Sequence, residues 1–252
     1  MMSSEEFNEE VVILRTGRLK EADLWLRFLT PGKGVLTAFA FGGLRSHRRF
    51  SGCLEPLSRV LFCIVRAGNK GYYSLREGSL LDRFPSLHKQ TARLGMAVHC
   101  ARFVEAAHAG AQDSRTVYDL LLRTLTALDR EGSVPENLPL YFRARLACEY
   151  GYRPDFATCC HCKGPATENN PAVISLSRGA ASCSRCGFFP DGLAVTPPVL
   201  RHMNSVLQAD PDDWSTLQKE DKGSIQRACL LLESFVERHI PLVWERGRFR
   251  PV

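Results

Sequence analysis

Two pairs of cysteines are the part of this sequence whose chemistry follows most directly from residue type and spacing. Cys159 and Cys162 form one Cys-x-x-Cys pair, and Cys183 and Cys186 form a second pair after twenty intervening residues. Two such pairs around a stretch that contains Gly and Pro are typical of four thiolates bound to a tetrahedral Zn2+. Because four thiolates leave no position for water or substrate, we predict one zinc ion with a structural role.

Other interpretations of the cysteines are also consistent with the sequence. Two disulfides, or four unrelated thiols, would use the same residues. Cys160 and His161 lie inside the first pair and are alternative ligands, although the symmetry of the two pairs favours the outer cysteines. Five further cysteines lie singly in apolar stretches, which predicts small buried side chains. These are Cys53, Cys63, Cys100, Cys148 and Cys229.

Positive charge is concentrated in the first third of the chain. Residues 11–76 contain twelve Lys or Arg and three Asp or Glu, a local balance of +9, whereas the whole chain carries +6. Residues 1–10 contain four Glu. A concentrated basic region favours a polyanionic partner, and we expect that partner to be a nucleic acid.

A glycine-flanked segment, residues 41–52, presents three arginines and a histidine without an acidic residue. Guanidinium groups pair bidentately with phosphate oxygens, so this composition suits the backbone of a nucleic acid. An ordinary solvated face is the alternative. The predicted DNA-binding residues are Arg15, Arg18, Arg27, Lys33, Arg45, His47, Arg48, Arg49, Arg66 and Lys70.

Aromatic residues are interleaved with these basic residues. An exposed ring is a stacking platform worth about 1–3 kcal/mol per base, whereas a buried ring fills the core. Either role is open for each of them. The candidates are Trp25, Phe39, Phe41, Phe50, Tyr72 and Tyr73.

Short β-rich runs must position the basic residues. The runs are 11–14, 24–29, 35–40, 57–65 and 72–75. Residues 30–34 and 67–71 contain Gly or Asn where the chain reverses, which predicts hairpin connections. Alternation in the second run places Leu24, Leu26 and Phe28 on one face. Five short strands in about seventy residues predict a small closed barrel of the oligonucleotide-binding (OB) type.

After Pro85 the apolar period changes from two to about 3.6, which predicts helices. Three amphipathic helices, expected at about 87–109, 114–131 and 139–150, would form a bundle, and two more are expected at 199–208 and 224–239. We therefore predict an α+β fold with a five-stranded OB-type barrel domain at residues 1–82. A helical domain at residues 83–252 follows, with an inserted four-cysteine zinc-binding loop at 157–190.

Several classes of protein are disfavoured by what the sequence lacks. It has no glycine-rich phosphate-binding motif and no carboxylate cluster suited to paired Mg2+, so we do not expect an enzyme, and a nuclease is a distant alternative. No apolar run approaches the roughly 20 residues that a membrane-spanning helix needs. The acidic first residues have no apolar core segment, so we expect no signal peptide and a cytoplasmic location.

Three segments resemble the bacterial RecO family of recombinational-repair proteins. Residues 14–34, with Leu14-Arg15-Thr16 and Phe28-Leu29-Thr30, look like the family's opening strands. Residues 42–57 are similar to its basic loop. The third segment, Phe142–Cys162, contains Tyr150-Gly151-Tyr152-Arg153-Pro154-Asp155-Phe156 and resembles the approach to the family's zinc site. The resemblance spans nearly the whole chain.

The resemblance implies a DNA repair and recombination accessory protein rather than an enzyme. Such proteins bind single- and double-stranded DNA, promote strand annealing, and associate with RecR and with the C-terminal tail of the single-stranded DNA-binding protein SSB. They help to load the RecA recombinase, so RecF and RecA are implied as indirect partners. A bacterial, nucleoid-associated location in the cytoplasm is implied as well. The alternative is an RNA-binding zinc-ribbon/OB protein of RNA metabolism, which would share the barrel and the four-thiolate site.

Overall fold

The computed structural model describes residues 5–46, 48–66, 71–107, 112–167, 170–187 and 189–252. The chain divides into two compact units, residues 1–131 and residues 132–252. A β-barrel and two helices make up the first unit, whereas three helices, a four-stranded sheet and a hairpin make up the second. Within the described ranges, no helix is both long enough and apolar enough to cross a membrane.

Five strands close into a barrel in the first unit, which confirms the predicted five-stranded barrel. They are β1 (Glu5–Arg18), β2 (Leu24–Thr30), β3 (Gly34–Ala40), β4 (Arg59–Arg66) and β5 (Tyr73–Asp82). The order is β1-β2-β3-β5-β4, and only the β3–β5 pair is parallel. β1 and β5 are longer than the predicted runs because the polar start of β1 and the polar end of β5 pair with β4, and the end of β1 pairs with β2.

The barrel core follows from the two-residue period of the strands. In β2 the side chains at 24, 26 and 28 are buried, and those at 25 and 27 are partly exposed, as the alternation predicted. Phe28 and Phe62 lie at the centre of the core, with ring centroids 5.8 Å apart. The core therefore occupies the barrel interior and leaves the basic side chains outside.

Two helices complete the first unit. α1 spans Thr91–Ala107 and α2 spans Ser114–Asp129. The hydroxyl of Ser114 donates to the carbonyl oxygen of Pro31 at 2.8 Å, which fixes the start of α2 against the β2–β3 turn. The compact unit thus extends past residue 82, where the sequence placed a domain boundary, and that boundary stays a prediction.

Three helices pack together in the second unit: α3 (Leu138–Glu149), α4 (Pro197–Gln208) and α5 (Lys222–His239). Arg143 of α3 and Glu233 of α5 form a bidentate ion pair with both N–O distances at 2.6 Å. The helices themselves were predicted, but the bundle of the first three is wrong because α3 belongs to the second unit. α3 is apolar around most of its surface and is covered by two helices that lie far ahead in the sequence.

The second unit also contains short strands. β6 (Asp155–Cys159), β7 (Ala172–Ser175), β8 (Ala180–Ser182) and β9 (Leu193–Val195) form a sheet in the order β6-β8-β7-β9. β10 (Leu242–Glu245) and β11 (Arg248–Pro251) form an antiparallel hairpin. The cysteine region was predicted to be a loop, because strands of three to five residues are too short to show alternation.

Candidate metal centre and nucleic-acid interface

The four paired cysteines converge in the second unit. The sulfur atoms of Cys159, Cys162, Cys183 and Cys186 all lie within 4.8 Å of one another, and those of Cys162 and Cys183 are 3.9 Å apart. A regular tetrahedron with metal–sulfur bonds of about 2.3 Å has sulfur–sulfur edges of about 3.8 Å. The cysteine cluster, as we call these four residues, therefore matches one tetrahedral metal ion, which fits the predicted ligand set.

Backbone hydrogen bonds position the residues of the cysteine cluster. Cys159 ends β6, its N–H donates to the carbonyl of Gly164 at 2.8 Å, and Lys163 N–H donates back to the Cys159 carbonyl at 3.0 Å. Cys183 follows β8 directly, and its N–H donates to the sulfur of Cys159 at 3.3 Å. The β6–β8 pairing thus brings together two pairs that are distant in sequence.

The pKa values of two of these thiols, Cys159 and Cys186, are shifted in opposite directions. Desolvation opposes ionisation of Cys159, but N–H donors from Cys162, Cys183 and His161 outweigh it and lower its pKa to about 5. A hydrogen bond to Cys183 raises the pKa of Cys186 to about 12. Adjacent thiolates repel one another, so a cation among the sulfurs is what allows all four to lose their protons. The donor set therefore suits a soft divalent cation.

The other cysteines and the alternative ligands lie outside the cluster. All ten cysteines are free thiols, so the structure does not contain the two disulfides considered above. Cys160 is half-buried and its N–H donates to the carbonyl of Ala181 at 2.8 Å. The ring of His161 stacks on Phe189 with centroids 6.2 Å apart. Neither residue belongs to the group whose ligand atoms converge.

Part of the predicted basic surface is paired with carboxylates. Arg15 and Arg27 both face Glu105 of α1, at 3.8 and 3.6 Å, and the Glu105 side chain is only 13% exposed. Arg66 faces Glu5 at 3.9 Å. These three guanidinium groups are therefore partly neutralised within the fold.

The same pairing extends along β1. Residues 5–12 run antiparallel to residues 59–66 of β4, so the acidic start of the chain lies beside basic residues. Arg59 contacts Glu10 and Arg76 contacts Glu6, each at 2.7 Å. The excess positive charge that the sequence spreads over residues 11–76 is consequently carried by the basic residues that lack such carboxylate partners.

The arginines with no carboxylate partner, or with only a highly exposed one, include a group around the β3–β4 connection. Arg48 has no hydrogen-bond or ion-pair partner among the described residues, and Arg18 has none there either. Arg45 has one exposed partner, Glu21, at 3.4 Å, and such surface pairs contribute only about 0–1 kcal/mol. We call Arg18, Arg45, Arg48 and Arg49 the barrel-end arginines.

The remaining predicted contact residues lie elsewhere. His47 and Lys70 lie outside the described residues. Lys33 lies in the β2–β3 turn, with its ammonium group 4.8 Å from the centroid of the Phe7 ring.

Specific hydrogen bonds hold the connection in place. Gly42, in a left-handed conformation with φ 65°, donates its N–H to the carboxylate of Asp23 at 2.8 Å. The Arg49 guanidinium donates to the carbonyl of Phe41 at 2.8 Å and to the hydroxyl of Ser46 at 3.3 Å. The described residues of the segment, which we call the platform, are therefore held by several hydrogen bonds, and Arg49 both braces them and contributes charge.

A groove of about 570 Å³ runs between the end of β1 and this platform. Arg18 and Leu44 line it on the solvent side, and the acidic Glu55 lines it as well. Phe50 is buried beneath. The groove is thus lined by apolar side chains together with one arginine and one glutamate.

Four of the six candidate aromatics lie on the outer surface of the barrel. Trp25 and Phe39 are cross-strand neighbours, and Phe39 contacts the rings of Phe41 at 6.0 Å and Tyr72 at 5.6 Å. Phe41 is 42% exposed. We call these four residues the aromatic strip. The other two, Phe50 and Tyr73, pack against the core, which is the alternative that the sequence left open.

Several residues that build this surface were not identified from the sequence. A Cβ atom on Gly17 would lie 2.4 Å from the Trp25 ring, so glycine is what lets Trp25 lie over β1. Arg15 then covers the Trp25 ring at 5.1 Å. A glycine inside a strand is a recognisable sign of close approach. Nothing in the local sequence marks Asp23 or Glu105, since the residues that they bind are distant along the chain.

Two protein-family models together match almost the whole chain. "Recombination protein O N terminal" matches residues 2–84, and "Recombination protein O C terminal" matches residues 88–248. The chain belongs to the RecO family. The family resemblance drawn from the sequence is thereby confirmed.

Curated relatives give the same result over their full length. The DNA repair protein RecO of Maridesulfovibrio salexigens is 37% identical over 248 residues, which cover 98% of this chain and 100% of that protein. The DNA repair protein RecO of Oleidesulfovibrio alaskensis is 39% identical over 249 residues, with coverage of 98% and 100%. That of Nitratidesulfovibrio vulgaris strain DP4 is 38% identical over 251 residues, with coverage of 97% and 99%.

Proposed function

We propose that this RecO-family protein is a DNA repair and recombination accessory protein that binds single- and double-stranded DNA and promotes strand annealing. With RecR and the SSB C-terminal tail as partners, it helps to load RecA, and RecF is a further indirect partner. Its place is the bacterial cytoplasm, in association with the nucleoid. The observation that carries the proposal is the group of barrel-end arginines beside the aromatic strip. RNA metabolism is not favoured, since the relatives compared are named DNA repair proteins.

The barrel-end arginines are the proposed primary phosphate contacts. Arg48 and Arg18 face no carboxylate among the described residues, so a DNA phosphate does not have to displace an internal partner. Arg15 and Arg27 share one largely buried carboxylate, and Arg66 faces another, which makes these three weaker contributors. Lys33, and by sequence His47 and Lys70, complete the proposed contact set.

The aromatic strip is the proposed base-stacking surface. Exposed rings on an OB-type barrel stack bases of any sequence, with about 1–3 kcal/mol per base. The edge-to-face contacts among Phe39, Phe41 and Tyr72 hold the rings in fixed orientations. A single strand would therefore have its backbone bound by arginines while its bases remain on a pre-ordered surface.

Annealing by this arrangement requires no bond-making residue, and we propose that the protein is not an enzyme. Two complementary strands repel each other through their phosphates. Arginine side chains that neutralise phosphates release condensed counterions and lower that repulsion. Bases held on rings stay unpaired until they meet their complements.

The proposed cofactor is one structural Zn2+ held by Cys159, Cys162, Cys183 and Cys186. The sulfur separations support a tetrahedral ion, and thiolates favour zinc over hard cations. The β6–β9 strands contain only three to five residues each, so their own core is small. Zinc binding to such segments contributes about 10–16 kcal/mol in peptides, which is enough to order the sheet.

Annealing of SSB-coated complementary strands, with and without the purified full-length protein, tests the proposal. We expect the protein to accelerate annealing, and the triple variant R45A/R48A/R49A to lose most of that acceleration. The matched control is R59A/R76A/R115A, which removes three arginines that already face carboxylates and should retain activity. Equal annealing by both triple variants, or none by the wild type, would contradict the proposal.

A further inference from the structure

The β10–β11 hairpin carries basic and aromatic side chains that the proposed function of the barrel does not use. One of its faces is anchored on the second unit. Phe249 is buried, its ring lies 4.8 Å from that of Trp244, and the Arg143 guanidinium lies 6.0 Å from the Phe249 ring centroid. Arg143 is itself fixed by its two 2.6 Å hydrogen bonds to Glu233. The hairpin is therefore held in one orientation relative to α3 and α5.

The opposite face of the hairpin is exposed and basic. Cross-strand pairs alternate between faces, so Glu245 and Arg248 lie opposite the anchored Trp244–Phe249 pair. Arg250 faces Glu245 at 3.7 Å, with both side chains more than half exposed. Arg248 has no hydrogen-bond or ion-pair partner in the part of the chain that the structure describes. Three arginines against one glutamate leave segment 245–250 with a net charge of +2.

The tip of the hairpin has an unusual residue for its turn. Arg246 and Gly247 both have positive φ, 46° and 77°, as in a two-residue type I′ turn. Asn, Asp or Gly adopts the first of these positions at lower cost than Arg. Turn formation therefore does not account for an arginine at 246. Its side chain is exposed, and like Arg248 it has no ion-pair partner among the described residues.

Trp244 adds an aromatic side chain on the anchored face of the same hairpin. Although its ring contacts Phe249, 42% of the residue is exposed. Single-stranded nucleic acid is bound by exposed rings that stack on bases and by guanidinium groups that donate to phosphates, and this four-residue-stranded hairpin carries both within a few residues. A rigid hairpin presents both without an ordering cost on binding.

We propose that the β10–β11 hairpin is a second nucleic-acid contact site, at which Arg246 and Arg248 bind backbone phosphates and Trp244 packs on a base. This inference rests on the proposed function only in taking DNA as the ligand. It places a binding surface on each compact unit. A protein with two separate surfaces can hold two strands at once, which is what annealing requires.

Tryptophan fluorescence separates the two surfaces. The chain has three tryptophans, and Trp214 is buried. In the full-length Trp25→Phe variant an oligothymidylate reports on Trp244, and in the Trp244→Phe variant it reports on Trp25. We expect quenching in both. In the Trp25→Phe background, R246N/R248Q should abolish quenching and flatten the log–log salt slope by about 1.4, at about 0.7 per phosphate on a single strand.

The variants are chosen to leave the hairpin folded. Asn favours the left-handed position that Arg246 occupies, and Gln keeps the size and polarity of Arg248. The charge-matched control R115A/R227A should quench like its parent. Binding itself is followed in parallel by the anisotropy of a labelled oligonucleotide.

Each outcome has a distinct meaning. Bound oligonucleotide that quenches the Trp244→Phe protein but not the Trp25→Phe protein overturns the hairpin site and leaves the barrel proposal standing. Quenching of the Trp25→Phe protein alone supports the hairpin and contradicts the barrel proposal. A response of Trp244 to anionic phosphatidylglycerol vesicles without any response to oligonucleotide assigns the hairpin to a membrane surface and overturns the inference.

Discussion

The barrel and the four-cysteine sheet are both small β structures, yet their order has different sources. The barrel encloses a cluster of thirteen buried residues centred on Phe28 and Phe62, so apolar burial alone can hold it. The sheet has strands of three to five residues, and four sulfur atoms converge at one end of it. A metal ligand set thus supplements a small core that includes Phe156 and Ile174. We infer that the two regions can be damaged independently.

A second contrast lies within the barrel itself. In the strands, Arg59 and Arg76 face carboxylates of β1 at 2.7 Å. In the β3–β4 connection, Arg48 faces none among the described residues. Arginines of one barrel therefore have different free charge, because the β1–β4 register neutralises some of them. Net charge counted along the sequence does not show this difference.

Removing a metal ligand is expected to have the largest effect. Cys159→Ser should lower bound zinc from one ion per chain to nearly none and forfeit most of a contribution of about 10 kcal/mol to the order of the sheet. Metal analysis and limited proteolysis measure this, with new cleavage expected within residues 155–195. Cys160→Ser is the matched control and should keep its zinc. Intact zinc content in Cys159→Ser would show that the cluster is not the site.

Opening the barrel core is expected to have the next largest effect. Phe62 is fully buried, and Phe62→Ala should destabilise the barrel by about 3–5 kcal/mol through lost burial and a cavity. Urea denaturation followed by Trp25 fluorescence measures the change, while zinc content should stay constant. Phe41→Ala, at an exposed ring, serves as the control and should cost much less. Loss of zinc in Phe62→Ala would contradict the independence of the two regions.

Removing the carboxylate of Glu105 tests whether ion pairing makes arginines of the barrel unavailable to DNA. Glu105→Gln removes the carboxylate that faces Arg15 and Arg27, so both guanidinium groups become available to DNA. We expect tighter binding to single-stranded DNA and a log–log salt slope steeper by up to about 1.4. Asp119→Asn, which frees Arg115 on α2, is the control and should change neither quantity. Weaker binding by Glu105→Gln would contradict the charge-pairing argument.

The smallest expected effect is a change in how the stability of the second unit depends on pH. Burial lowers the pKa of His202 below 6.5, although Glu220 opposes the shift, and the imidazole shares a 2.9 Å hydrogen bond with Tyr141. Because the folded state favours the neutral ring, the stabilisation is complete above pH 6.5 and is lost as pH falls through the folded-state pKa. Melting temperatures at about pH 7.5 and about pH 5.5 test this. His202→Gln should show a smaller pH difference, and an unchanged difference would remove His202 from the explanation.

The sequence predicted the elements of this fold better than their partners. The barrel strands, the five helices and the cysteine cluster all have local signatures, namely alternation, a 3.6-residue period and Cys-x-x-Cys spacing. The placement of α3 has no local signature, because a helix that is apolar around its whole circumference does not specify which helices pack against it. The pairing of Arg15 and Arg27 with Glu105 likewise depends on tertiary packing. The β10–β11 hairpin was not predicted, since four-residue strands carry little pattern.

The salt dependence of duplex binding tests the central claim most directly, namely that free arginines at one end of the barrel bind DNA phosphates. If about six phosphates are neutralised, the log–log slope of the wild type should be about −5. R45A/R48A/R49A should flatten it by about 2.7, at about 0.9 per phosphate, whereas R59A/R76A/R115A should leave it nearly unchanged. Identical slopes for the two triple variants, or a wild-type affinity that does not change with salt, would contradict the account.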